Sequence, residues 1–433
     1  EEQLVQIWEQ VLGVESVSVT ENFFALGGDS IRSMQIATRL HHLGYAIEPQ
    51  WLFRAPTIKE FATLIAQSQT TAEAIVGTPK SMPFALSPLT SYELERLRNQ
   101  IQYIEDVYPL SPMQSGILYG TLKQADTYLI QGIFTINGPI DIDNFKRAWQ
   151  NVIANTPILR TGVIWENYST PFQFVLHNQK FSMELYDWTA DEEHVQRIKL
   201  GNLLQSTLNK GIDISLAPLF NLSLIKYKHN YDCVLTCHHL IVDGWCLSLI
   251  MQQVMFTYAK LRRNENELSP ARPFCDYISW LHAQDKPRAK SFWQDYLREF
   301  SEPSLFQFRQ SNRSSDAAYA TYQIIVPKDD TDYLTTFVKT QHFTVNTLLQ
   351  VAWAMLLSKY IQRDDVIFGV TISGRSISLK QAGEMIGPFI NTIPVRVKLE
   401  QGNTIKQLLT HLQNETPALL DYAHLGLADI LKC

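Results

Sequence analysis

The sequence predicts two unlike folding units in one chain: a small all-α unit at the N terminus and a larger α/β unit after it. Three observations point there. Apolar residues in the first 68 positions recur at helical spacing, as Leu4, Ile7, Trp8, Val11 and Leu12, then Ile31, Met34, Ala37, Leu40 and Leu43. From about 67 to 90 the composition changes to a linker type, with Gln67-Ser68-Gln69-Thr70-Thr71 and then Gly77, Pro79, Pro83 and Pro88. Beyond it lie two β-rich runs, 219–227 and 232–239, joined by Lys228-His229-Asn230-Tyr231, a hairpin turn sequence. At 433 residues the chain is longer than one core usually organises.

The elements follow in order. Gly13 stops the first helix, and a loop runs through Asn22-Phe23-Phe24 to Gly27-Gly28. The helix from Ser30 ends before Gly44. Thr57 and Glu60 form a capping box for the next helix, whose apolar side is Phe61, Leu64 and Ile65. A helix is predicted over about 91–102, and the second unit opens at Val107-Tyr108-Pro109. After the second β run a helix carries Leu247, Ile250, Met251, Val254, Met255 and Tyr258 on one face. Residues 344–361 are apolar on most sides, which predicts deep burial, and Asp365 to Ser373 reads as a buried strand.

Bulk properties exclude several function classes. The composition is 45% apolar and 18% charged, ordinary for a soluble globular chain. Net charge is −6 with no long run of one sign, which argues against nucleic acid or an anionic membrane as partner. No segment approaches the roughly 20 consecutive apolar residues of a membrane helix. Five sparse cysteines, at 233, 237, 246, 275 and 433, suit reduced thiols in a cytoplasm. The chain starts Glu-Glu-Gln and reads as a piece of something longer.

The first chemical motif is Phe23-Phe24-Ala25-Leu26-Gly27-Gly28-Asp29-Ser30-Ile31. A glycine pair lets the backbone turn sharply and leaves the following side chains unshielded, so Ser30 is placed at a helix start on the surface. Taken alone, Gly-Gly-Asp-Ser also suits a plain helix N-cap. In context it resembles the phosphopantetheine attachment site of acyl and peptidyl carrier proteins, and the likeness extends over the first 66 residues, through Phe53-x-x-Pro56-Thr57-Ile58. The resemblance implies a four-helix carrier over 1–72, with 4′-phosphopantetheine attached to Ser30. Asp29, the variable position, looks like that of carriers that deliver to epimerisation domains.

The second motif is His238-His239-Leu240-Ile241-Val242-Asp243-Gly244-Trp245. Neighbouring strand residues point to opposite faces, so only one histidine can look into a given cavity. Asp243 is short and next to a turn, which suits holding a loop. On the residues alone three readings stay open: two satisfied core histidines with a capping Asp, a metal site from Cys237, His238, His239 and Asp243, and acid/base or positioning chemistry at His239. Strand alternation separates neighbouring ligands and no further Cys/His cluster completes a tetrahedron, so no metal is predicted.

This run resembles the His-His-x-x-x-Asp-Gly signature of nonribosomal peptide synthetase condensation domains, relatives of chloramphenicol acetyltransferase. Further segments resemble that family in order: Leu110-Ser111-Pro112-Met113-Gln114, Ile158-Leu159-Arg160-Thr161, Phe274-Cys275-Asp276-Tyr277, Ile386-Gly387-Pro388-Phe389-Ile390-Asn391-Thr392 with Arg396, and Asp421-Tyr422-Ala423-His424. The family's last motif, an Arg-Asp segment, is absent, and a full domain would continue for roughly another hundred residues.

The resemblance implies a linker over 73–106 and two acetyltransferase-like subdomains in a V, over 107–272 and 273–433, the second apparently truncated. It implies peptide-bond formation: the amine of an acceptor aminoacyl thioester attacks a donor thioester, both held on carriers. His239 either takes the amine proton or orients the amine. Gly244 N–H is a candidate donor to the developing oxyanion. His238 is structural, as is Asp243, which is expected to pair with Arg160. Asn391 is a candidate for lining the tunnel. Implied partners are a phosphopantetheinyl transferase, neighbouring adenylation domains and a downstream carrier, with a monomeric chain in the cytoplasm. The alternatives are an epimerisation domain and a catalytically silent, partner-binding relative. His238 and His239 argue against a heterocyclisation domain, which would have Asp at the first motif positions.

Overall fold

The computed structural model describes residues 1–43, 45, 47, 51–69, 82–124, 127–177, 179, 181–265, 271–300, 322–400 and 402–433. The chain divides into two compact units. The first unites Glu1–Val76, Asp285–Gly383 and Asn391–Cys433, and the second unites Gly77–Gln284 with Glu384–Ile390. In chain order, α1 to α4 are Glu2–Leu12, Ser30–His42, Trp51–Arg54 and Ile58–Gln69. Next come α5 (Ser91–Gln100), β1 (Ile104–Pro109), α6 (Pro112–Lys123), β2 (Leu129–Asn137) and α7 (Ile142–Asn155). They are followed by β3 (Thr161–Ile164), β4 (Phe172–Leu176), β5 (Met183–Asp187), α8 (Glu193–Lys210), β6 (Phe220–Lys226), β7 (Asn230–His238) and α9 (Gly244–Arg262). The last elements are α10 (Cys275–His282), α11 (Lys286–Tyr296), α12 (Lys328–Thr340), α13 (Val345–Ile361), β8 (Asp365–Ile372), β9 (Asn391–Lys398), α14 (Ile405–Asp421) and α15 (Leu427–Ile430).

In the first unit, α1 to α4 close over their own core. Leu4, Ile7, Trp8 and Leu12 of α1 are buried with Phe23, Leu40, Leu52, Ile58 and Phe61. Each such side chain contributes about 1.5–3 kcal/mol by leaving water. Gly13 ends α1 in the left-handed conformation, φ 69°, with its N–H donating to Glu9 O. The predicted capping box forms: Thr57 Oγ1 accepts from Glu60 N–H at 3.2 Å, and Glu60 Oε2 accepts from Thr57 N–H at 3.1 Å. The entry loop is stitched to it by Phe23 N–H donating to Pro56 O at 2.6 Å.

The rest of the first unit is built on β8 and β9, an antiparallel pair. Its core joins Trp293, Val338, Val351, Ala354, Leu357, Val366, Ile393, Leu409 and Leu412. Here α13 departs from the expected deep burial. Val351, Ala354 and Leu357 face the core, while Leu349 (61% exposed), Trp353 (41%) and Tyr360 (69%) face away. Among the described residues α13 packs on α12, α14 and β8, which cover one side of a helix that is apolar all round.

The second unit holds two sheets, ordered β1-β4-β3 and β2-β7-β6-β5. The predicted hairpin is β6 and β7, antiparallel with Lys226 opposite Tyr231. The pair β5 and β6 is parallel, bridged by α8 as a βαβ connection requires. Strand β7 is flanked on both edges and buried from Tyr231 to His238, so its end is a fixed platform. Helix α9 leaves that platform and packs on α7, where Tyr258 Oη accepts from Asp141 N–H at 3.0 Å.

Two expected boundaries shift. The linker reading of 73–106 does not hold for 82–106. Leu97 of α5 is fully buried with Val107, Phe172 and Phe174, and Phe84 N–H donates to Asp106 Oδ1 at 2.6 Å. The low apolar content misled because only one face of α5 packs. Residues 70–81 lie outside the described residues. The division expected at 272/273 falls instead at Gln284/Asp285, because α10 packs on β1, and Glu384–Ile390 returns to the second unit.

Candidate active site and carrier loop

Strand β7 ends at His238, and His239 opens the turn that follows, where strand alternation no longer applies. His238 is fully buried. Its Nδ1 accepts from Leu240 N–H at 3.1 Å, which leaves the proton on Nε2, 3.3 Å from Thr121 Oγ1. The Thr121 hydroxyl in turn donates to Ile117 O at 2.9 Å. Burial, helped by the neighbouring His239, pushes the His238 pKa down to about 4, so it is neutral near pH 7. His238 is a scaffold residue with both nitrogens engaged.

His239 differs on each point. Its backbone is pinned, N–H to Tyr128 O at 2.8 Å, and the residue is partly exposed, while Nδ1 itself is buried with no hydrogen-bond partner among the described residues. The backbone beyond it is held by Gln114, whose Nε2 donates to Leu240 O at 2.8 Å. Gln114 is fixed by amide pairing with Gln173 at 2.9 and 3.1 Å and by Ser111 N–H at 2.8 Å. The Ser111/Gln114 capping box was readable as a local pattern, whereas Gln173 carried no sequence signal.

Asp243 caps α9. Its Oδ1 accepts from Cys246 N–H at 3.1 Å and from the Cys246 thiol at 3.1 Å, and its Oδ2 accepts from Phe389 N–H at 3.0 Å. Cys246 Sγ also meets Gly387 O at 3.2 Å and Gly387 N–H at 3.3 Å. The 384–390 segment is thus latched to the start of α9. Gly387 is required there: at φ 153° a Cβ would sit 2.1 Å from the Phe274 ring. Phe274 and Tyr277 pack on Phe389, with ring centroids 5.6 and 4.3 Å apart. Two motifs more than a hundred residues apart in sequence therefore form one wall.

The expected Asp243–Arg160 salt bridge is absent. Arg160 is buried elsewhere, pairing with Glu105 and donating to Leu176 O, Ile153 O (3.1 Å) and Ala154 O (3.2 Å). It answers the carbonyls at the C-terminal end of α7, where a cation is favoured. Asn391 is likewise a fastener: Nδ2 donates to Ala423 O at 2.7 Å and Leu425 O at 3.0 Å, and Oδ1 accepts from Thr392 N–H at 2.9 Å. Its amide is committed within the first unit and leaves no free donor for a tunnel wall.

Gly244 is the first residue of α9, exposed, with nothing among the described residues within 4 Å of where a Cβ would stand. The first N–H groups of a helix have no intrahelical acceptor and carry partial positive charge. Open space, a helix N-terminus and an unpartnered imidazole nitrogen thus occur within six residues. Among the described residues no three His, Cys, Asp or Glu side chains gather to hold a metal.

In the first unit, Ser30 opens α2, and its side chain lies outside the described residues. Asp29 Oδ1 accepts from Arg32 N–H at 2.9 Å, capping the helix, and the Arg32 guanidinium returns to Gly27 O and to Asp29 Oδ2 at 3.4 Å. Gly27 is left-handed, φ 92°, and a Cβ on Gly28 would lie 2.5 Å from the Phe23 ring. The loop before Ser30 is thus bare backbone folded over Phe23, with a cation beside it, and this suits an attached phosphodiester.

The family model described as the condensation domain matches residues 104–432. The chain belongs to the condensation-domain family. Ahead of the condensation domain, the model for the phosphopantetheine attachment site matches residues 2–65. A linear gramicidin synthase of Brevibacillus parabrevis is 34% identical over 366 residues, covering 83% of this chain. The nonribosomal peptide synthetase atnA of Emericella nidulans is 29% identical over 449 residues, covering 100% of this chain. The chain spans about 7% and 6% of those relatives. Among solved structures, the starter condensation domain of rhizomide synthetase superposes with TM-score 0.61 at 18% identity, over 75% of this chain and 74% of that one. At that identity the likeness supports the fold, an α/β condensation domain after a helical carrier. The carrier region is of the type that bears 4′-phosphopantetheine.

Proposed function

We propose that this chain forms amide bonds between carrier-held acyl groups, the peptide-bond step of nonribosomal peptide synthesis. The observation that carries the reading is His239: a partly exposed imidazole in the turn just beyond a rigid strand, five residues before an exposed helix N-terminus. The arm on Ser30 supplies a thioester-activated acyl group: as the amine nitrogen bonds to the acyl carbon the C–S bond breaks, and the sulfur leaves as the thiol, taking up the proton the amine gives up. His239 holds the attacking α-amine and is placed to receive its proton, while Gly244 N–H offers a preorganised donor to the carbonyl oxygen as it gains charge. Positioning of the two reactants supplies several kcal/mol of the barrier, roughly 7–11 at best. His238, Gln114, Asp243 and Cys246 keep the turn from yielding. No helix among the described residues is long and apolar enough to cross a membrane. A cytoplasmic setting, loading by a phosphopantetheinyl transferase, and supply from adenylation and downstream carrier domains complete the proposal.

The test is to load the chain with coenzyme A and a broad phosphopantetheinyl transferase, charge the arm with an aminoacyl group, add an acceptor aminoacyl thioester and follow products by mass. The wild type is expected to yield the amide, and Ser30→Ala neither arm nor product. Stereochemical inversion of the charged residue without amide would favour the epimerisation alternative. Complete loading with neither product would favour a silent partner-binding domain.

A further inference from the structure

Within the first unit the carrier loop meets a cation with no other partner among the described residues. Lys339, in the last turn of α12, lies against Gly27: a Cβ on that glycine would stand 3.0 Å from Lys339 Cε and 3.1 Å from Nζ. Arg32 Nη1 lies on the same spot, at 3.7 Å. Lys339 is partly buried, yet its ammonium has no hydrogen bond or ion pair among the described residues. Arg32 is partly satisfied by Gly27 O and Asp29. A second contact holds the same arrangement, for Arg54 of α3 pairs with Asp421 at the end of α14.

We propose that Lys339, with Arg32, is the binding site for the phosphodiester of the arm on Ser30. Gly27 precedes Ser30 by three residues, so their Cα atoms are at most about 11 Å apart. A lysine stem spans much of that distance, and an ammonium is a compact partner for phosphate. The negative Asp29 beside Ser30 is already held by the Arg32 guanidinium and the Arg32 N–H, which leaves Lys339 for the phosphate. Lys339 is a positioning residue here. It fixes the root of the arm against the surface formed by α12 and α14, so that the thiol end starts each excursion from one place. The proposal rests on the carrier reading of Ser30.

The test uses the whole chain, loaded to completion as checked by intact mass, with the phosphodiester observed by phosphorus-31 NMR. Lys339→Ala is expected to displace and narrow the signal, Lys339→Arg to restore it, and Lys328→Ala, an exposed lysine of the same helix paired with Asp332, to leave it unchanged. Superimposable spectra for wild type and Lys339→Ala would overturn the proposal, as would an equal change in Lys328→Ala. Failure of the wild type to gain mass or a phosphodiester signal would overturn the carrier reading itself, a result distinct from loss of the phosphate site.

Discussion

The turn after β7 and the loop before Ser30 are both short and each leads into a helix, but they are built in opposite ways. In the turn, His238, Asp243, Cys246 and Gln114 are each buried with at least two hydrogen bonds, while His239 is partly exposed and its buried Nδ1 has no partner among the described residues. In the loop, the bonds are local, from Asp29 and Arg32, and Lys339 of α12 lies against Gly27. The turn is anchored from three directions and the loop only at its base, the difference expected if the turn positions reactants and the loop presents an attachment point, as we propose.

Breaking the most connected residue of the turn gives the largest effect. Asp243→Ala removes the α9 cap and the carboxylate that accepts from Phe389 N–H, so thermal melting is expected to report a loss of about 3 kcal/mol in the second unit. In the loop, Gly28→Ala forces a methyl into the Phe23 ring and is expected to cost about 1–3 kcal/mol, read as an earlier melt of the helical region. Acid sharpens the contrast. The folded His238 pKa is about 4 against about 6.5 unfolded, so the unfolded chain takes up the proton first. Its contribution is full above about pH 6.5 and is lost as pH falls from there towards 4, by about 2 kcal/mol between pH 7 and 5. His238→Asn should flatten that part of the profile. Arg54→Ala is the smallest: its ion pair with Asp421 is 49% and 31% exposed, so stability should change by at most about 1 kcal/mol, and less in high salt.

Local pattern carried much of this into view from the sequence. The hairpin, α9 and the Thr57/Glu60 capping box all follow from period and cap chemistry. The holding role of Asp243 was legible for the same reason, a short carboxylate before a helix. Its partners were not, because Phe389 and Gly387 come from a segment about 140 residues away, and nothing local marks a thiol such as Cys246 as a latch. Arg160 was misplaced because a cation in a motif suggests the nearest motif carboxylate, whereas its real partners are backbone carbonyls and Glu105. Residues 82–106 looked like linker because α5 contributes little more than one fully buried side chain, Leu97. In α13, an apolar pattern on every side gave burial without saying which side the described elements cover.

In the function we propose, His239 reacts and His238 supports it. That division is tested by comparing His239→Ala with His238→Ala for amide formation and for thermal melting on the same loaded preparations. His239→Ala is expected to lose roughly 10²–10⁴-fold in rate with an unchanged melt. His238→Ala is expected to melt earlier, because Thr121 and Leu240 N–H lose their partner. A His239→Ala protein that keeps wild-type rates, or that loses activity only by unfolding, would refute the division.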